Sequence, residues 1–227
     1  MLRPLSPAPD LVDTVHDALL EAILAGELSA GHRYTQEALA ERLGVSRQPV
    51  MQALRMLRQQ GLIIDTDNRR GVQVPPLDAR FIEQLYELRA ALDAAAARAA
   101  ARTPRPELRA EGLALLDEGR KAVAAGELRR MVAADLAFHL FIYEASGNTL
   151  LLQTARQHWH HTQRAMSAYL RQPGALRTVW SEHQRILDAI VKGDADAAER
   201  CSREHAEQSG HLLATASSRG AAPPATH

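Results

Sequence analysis

Asp135 and His139 stand four residues apart in the stretch Asp135-Leu136-Ala137-Phe138-His139. On a helix that spacing puts both side chains on one face, able to grip a single ion. His183 and His205 fall in two later helical stretches. One carboxylate and three imidazoles suit a divalent ion, zinc first, with nickel or manganese as alternatives. A helical bundle can gather such groups in its core. The chain has ten histidines, however, and His158-Trp159-His160-His161 is a rival cluster. Its adjacent members point in different directions around a helix, which counts against a shared ion.

A second chemistry lies near the other end. Ser46-Arg47-Gln48-Pro49 opens an apolar-periodic run after the turn Gly44-Val45. Ser46 can cap a helix or bond a phosphate, since free N–H groups at a helix start favour an anion. Arg47 can pair with a phosphate or with guanine, and Gln48 suits adenine. Between Arg42 and Gly71 there are six basic residues (Arg42, Arg47, Arg55, Arg58, Arg69, Arg70) and two acidic ones, Asp65 and Asp67. That local excess of positive charge sits in a chain whose formal net charge is zero. Nucleic-acid binding would therefore come from a patch.

These groups need elements to position them. Val12, Val15, Leu19, Ala22 and Ile23 recur at helical spacing from Leu11 to Gly26. A second helix is expected from Thr35 to Leu43, and a third from Ser46 to Gly61. Then the period changes: Leu62-Ile63-Ile64 and Val72-Gln73-Val74 read as two strands joined by a turn. Arg69, Arg70 and Gly71 fall at the tip of that hairpin. Pro75-Pro76 marks a boundary. Beyond it only helical patterns appear, over 78–102, 106–125, 127–146, 148–171, 174–192 and 194–216.

The expected fold is mainly α: an N-terminal winged helix-turn-helix of three helices and a β-hairpin, followed by an all-α bundle. Its divisions are a disordered tail (1–10), the winged domain (11–75), a linker (76–80), the helical domain (81–215) and a disordered tail (216–227). Cys201 is the only cysteine, so no intrachain disulfide can form and a reducing compartment is expected. Neither a signal peptide nor a membrane span is evident, which points to the cytoplasm and to no membrane partner.

The order of these motifs resembles a known family. Ile23-Leu24-Ala25-Gly26-Glu27-Leu28, Glu37-Ala38-Leu39-Ala40, Leu43-Gly44-Val45-Ser46-Arg47-Gln48-Pro49-Val50 and Gly71-Val72-Gln73-Val74 resemble the winged helix-turn-helix of GntR bacterial repressors. The resemblance implies DNA contacts at Ser46, Arg47 and Gln48, with Arg70 and Gly71 at the wing. The family usually has arginine where this chain has Met51, and Arg55 is a candidate substitute. The later half is similar to the FCD domain of the FadR-like branch through Glu87-Leu88-Arg89, Asp135 to His139, Gly147-Asn148 and Glu182 to Ile190. In metal-binding members the positions of Asp135, His139, His183 and His205 carry the ligands, so the resemblance decides between the two histidine groupings. By the family pattern Arg89 would hold a carboxylate of a small organic-acid effector. Its alternative is a surface salt bridge to Asp93, four residues on.

The resulting expectation is a homodimeric transcriptional regulator, in the repressor sense and not an enzyme, binding palindromic double-stranded operator DNA. Two other classes stand against it. A metal-dependent hydrolase or lyase fused to a DNA-binding module would need a general base, and none is evident beside the four ligands. A constitutive DNA-binding protein would leave the polar cluster of the second half without a purpose.

Overall fold

The computed structural model describes residues 11–66, 71–103, 105–169 and 178–220. The chain divides into two compact units, Met1–Pro76 and Leu77–His227.

In the first unit, α1 (Leu11–Leu24) buries Val15, Leu19 and Ile23 along one stripe, as their spacing dictates. β1 (Arg33–Tyr34) leads into α2 (Gln36–Leu43), whose start is capped by the Thr35 hydroxyl accepting from the Ala38 N–H at 3.2 Å. Gly44 closes α2 at φ 66°, a conformation that suits glycine and lets α3 (Arg47–Gln59) leave in a new direction. Val50, Ala53, Leu54 and Leu57 of α3 enter the core with Leu39 and Val72. The strands β2 (Ile64–Asp65) and β3 (Val72–Gln73) complete the unit.

The sheet has three strands rather than the two of a hairpin, in the order β1-β3-β2 and antiparallel throughout. β1 escapes sequence reading because a two-residue strand with one charged member shows no alternation. Leu62 and Ile63, expected as strand, instead plug the core: the Leu62 N–H bonds back to the Leu57 carbonyl (2.9 Å) as the helix ends, and the strand begins at Ile64.

The second unit consists, among the described residues, of α4 (Ala79–Arg102), α5 (Glu107–Ala125), α6 (Leu128–Ala145), α7 (Thr149–Tyr169), α8 (Val179–Lys192) and α9 (Ala195–Gly220). Asp78 caps α4 by accepting from the Phe81 N–H at 2.7 Å, so the helix starts inside the segment expected as linker. α9 continues to Gly220, past the helix end expected at 216 and the domain end expected at 215. Leu213, Ala214 and Ser217 are buried there, and the Ser217 hydroxyl donates to the Leu77 carbonyl at 2.9 Å. Of the two tails expected as disordered, 1–10 and 221–227 lie outside the described residues.

The packing surface between α4 and α9 is the most extensive in the unit. Ala94, Ala97, Ala100 and Ala101 are fully buried on α4, where small side chains let helices approach closely. Glycines do the same on α5: a Cβ at Gly119 would stand 1.9 Å from the Trp180 ring. Trp180 is itself buried among rigid neighbours, so the clash has no easy relief. Gly119→Ala should therefore destabilise the unit by about 1–3 kcal/mol through overpacking, although alanine is the better helix former. Chemical denaturation against wild type checks this; equal or greater stability would mean that the ring does not press on α5.

Candidate functional site

Asp135 and His139 of α6, His183 of α8 and His205 of α9 converge in the middle of the bundle. One ligand atom from each lies within 4.8 Å of all the others, and all four residues are buried. His183 Nε2 is 3.2 Å from His205 Nε2 and 3.5 Å from an Asp135 carboxylate oxygen. Nitrogen and oxygen donors about 2.0–2.2 Å from one zinc ion stand roughly 3–4 Å apart, so these separations fit a common cation.

The surroundings orient the ring nitrogens. His205 Nδ1 lies 2.7 Å from Glu182, and His139 Nδ1 lies 3.3 Å from Asp93. A carboxylate at Nδ1 holds the proton there and leaves Nε2 as a lone-pair donor facing the cluster, the tautomer a metal requires. His139 Nε2 and Asp135 Oδ2 are buried without a hydrogen-bond partner, although such atoms are expensive to leave unmet. Phe138 stacks on His183 at 4.4 Å and Trp180 meets it edge-on at 5.0 Å, fixing the ring from two sides.

Burial, reinforced by Arg89 and the neighbouring imidazoles, holds His139 well below the usual histidine range. His183 is lowered in the same way, by burial first and then by His205 and Arg89. Burial also raises the Asp135 carboxyl, against the pull of Arg89. These shifts share one cause: a dry site that disfavours charge unless an opposite charge joins it. The residues present fit a divalent cation.

Beside the cluster lies a small pocket, partly open to solvent and walled by α4, α6 and α7. Leu85, Leu88, Leu92, Ala155 and Trp159 give it apolar sides, while Arg89, Asp93 and Tyr143 supply polar groups. None of the four clustered residues lines it; Arg89 and Asp93 stand between. Arg89 does pair with Asp93, but as a buried contact of 3.1 Å and not as a surface salt bridge. Its Nη1 donates to the Tyr86 hydroxyl at 3.3 Å, and its Nη2 is buried without a hydrogen-bond partner. Burial pushes Tyr86 up to about 12, against the pull of Arg89, so it stays protonated.

The rival histidines do not join the cluster. His158 lines the pocket, and the His161 ring meets Phe81 edge-on at 5.2 Å. Asp93 and Glu182 are the residues that sequence reading passed over as parts of the site. Their signals were spacing alone: Asp93 follows Arg89 by four, and Glu182 adjoins His183. They are carboxylates beside the four clustered residues, but each is engaged by an imidazole Nδ1, which suits orientation better than proton abstraction.

In the first unit, α3 presents Arg47, Gln48, Met51 and Arg55 to solvent opposite its buried face. Ser46 occupies the N-cap with its hydroxyl unused by the helix. Arg47 bonds Glu37 of α2 at 2.8 Å, an exposed pair of little energetic weight that a stronger partner can replace. Gly71 departs from expectation. It is buried, its carbonyl accepts from Thr66, and a Cβ there would stand 2.8 Å from the Tyr34 carbonyl. Its lack of a side chain lets β3 approach β1. Arg69 and Arg70 lie outside the described residues.

No helix among the described residues is long and apolar enough to cross a membrane. Residues 11–74 match the model of "Bacterial regulatory proteins, gntR family", and residues 84–208 match the FCD domain. A relative from Escherichia coli (strain K12), whose name refers it to regulation of the L-lactate dehydrogenase operon, is 31% identical over 220 residues, covering 86% of this chain and 83% of its own. Another, from Paenarthrobacter nicotinovorans, is referred by its name to a D-xylose utilization operon as a transcriptional repressor. It is 30% identical over 210 residues, covering 91% and 89%. Among solved structures, E. coli McbR/YncC aligns with a TM-score of 0.77 at 24% identity, over 92% of this chain and 99% of that one, which bears on the fold. These families are those of transcriptional regulators and not of enzymes. A DNA-binding unit of three helices and a small sheet, joined to a helical FCD unit, makes this chain a member of the gntR family of bacterial transcriptional regulators.

Proposed function

We propose that this regulator is a repressor whose hold on operator DNA is modulated by a small organic acid, bound beside a divalent cation in the FCD unit. The observation that carries the reading is the buried cluster of four donors, flanked by orienting carboxylates and adjoining a pocket that contains Arg89. Asp135, His139, His183 and His205 would hold the cation, zinc in the first instance. The cation supplies positive charge that offsets the buried Asp135 and attracts an anion. Arg89, whose guanidinium lines the pocket and reaches Asp135 at 3.7 Å, supports binding of the acid's carboxylate by its charge. Two copies with their α3 helices about one DNA turn apart, near 34 Å, would read a palindromic operator in the cytoplasm. Ser46, Arg47, Gln48 and Arg55 are the proposed contacts on α3, with Arg69 and Arg70 from the wing.

On DNA, Arg47→Ala should weaken operator binding at least tenfold while the melting temperature stays within a degree or two, since its ion pair is exposed. Undiminished binding in a mobility-shift titration would remove α3 as the reading helix.

For the cation, elemental analysis should find about one divalent ion per chain. His183→Ala and His205→Ala should lose it, while Arg89→Ala should retain it and lose only the stabilisation given by organic acids. Full occupancy in both histidine variants would overturn the assignment.

Acid should act on the metal-free chain as well. His139 and His183 titrate below 6.5 when folded, so the unfolded chain binds more protons in that range. Their contribution to stability is present above about pH 6.5 and is lost as pH falls below it. The raised carboxyl of Asp135 works in the opposite sense, its contribution being lost as pH rises, so the histidine variant isolates the imidazole part. The chelated protein should therefore melt at progressively lower temperature between pH 7.5 and 5.5. In His139→Gln that slope should shrink; an unchanged slope would mean that this ring does not govern it.

A further inference from the structure

We infer that Met51 is a base-reading residue, seated against the C5-methyl group of a thymine in the major groove. The inference rests on the operator-binding reading of α3. Met51 is 48% exposed, whereas α3 turns Val50, Leu54 and Leu57 fully inward and half-buries Met56. Exposure alone says little, because single apolar residues are common on surfaces. Position says more. Met51 lies one turn beyond Arg47 and Gln48 and one turn before Arg55, all exposed, so it sits in the middle of a polar face. A face that enters DNA between an arginine and a glutamine carries its middle residue in with it.

Chemistry then narrows what Met51 can touch. A thioether has no charge to hold a phosphate and no donor for guanine or adenine acceptors. The apolar feature displayed by the major groove is the thymine methyl group, and it is absent from the other bases. The unbranched, polarizable side chain of methionine can fit its end to such a group without demanding one geometry. Because Met51 neutralises no phosphate, it contributes to sequence preference and not to the salt dependence of binding.

The test uses the full chain with a pool of randomised DNA duplexes. Wild type and Met51→Ala are each taken through selection, and thymines of the wild-type duplex are then replaced singly by deoxyuridine, which removes only the methyl. The expected result is one thymine per half-site whose replacement weakens wild type about three- to fivefold, the scale of one buried methyl group, and leaves Met51→Ala unaffected. The two proteins should also share one salt slope. Methyl losses felt equally by both proteins, or identical selected sequences, would overturn the role of Met51 while leaving operator binding intact. A wild-type chain that enriches no sequence would overturn the operator reading itself, and the inference with it.

Discussion

A carboxylate and three imidazoles at the centre of a helical bundle impose a condition on everything around them. Each is at most 3% exposed, so water cannot satisfy them and the protein must. Part of the condition is met by Glu182 and Asp93, which take up ring nitrogens facing away from the cluster. Part is left unmet: His139 Nε2 has no hydrogen-bond partner, and Asp135 Oδ2 has only the Arg89 guanidinium at 3.7 Å. Breaking a buried charged set by removing one partner costs several kcal/mol. A cation would repair the deficit at both atoms together, and that is why the cluster reads as a binding site and not as an accident of packing.

Four donors from three helices meet only if those helices stay in register, and small residues set that register. The buried alanines of α4 bring it against α9, which carries His205; Gly112 and Gly119 of α5 admit Leu187 and Trp180 of α8, which carries His183. Trp180 in turn presses on His183. The alanine-rich composition is thus more than helix propensity: it fixes interaxial distances and, through them, the separations between ligand atoms.

Periodicity made most helices legible, because α1, α3 and α8 carry clear apolar stripes and Gly44, Gly126 and Gly193 close α2, α5 and α8. The four clustered residues were legible as candidates by spacing, and resemblance separated them from the rival histidines. Two kinds of feature stayed hidden. β1 is too short to show a pattern and exists because β3 has a second edge to pair. Asp93 and Glu182 look like ordinary charges on helices, since only the fold reveals which imidazole each one meets. The packing part of Gly71 was hidden for a related reason: only the fold shows how closely the Tyr34 carbonyl approaches it.

Asp93 connects these observations. It accepts from Arg89 at 3.1 Å and from the Tyr143 hydroxyl at 2.5 Å, and it lies 3.3 Å from His139. The pocket wall and the ion ligands therefore share one carboxylate. An acid that engages Arg89 from the pocket competes with Asp93 for the same guanidinium and alters the charge that His139 feels through Nδ1. Conversely, were a cation held at His139 Nε2, Nδ1–H would be a stronger donor to Asp93, whose hold on Arg89 would weaken. If the proposed cation and acid both bind, they would favour each other without touching, because each strengthens the arrangement of Asp93 that the other requires.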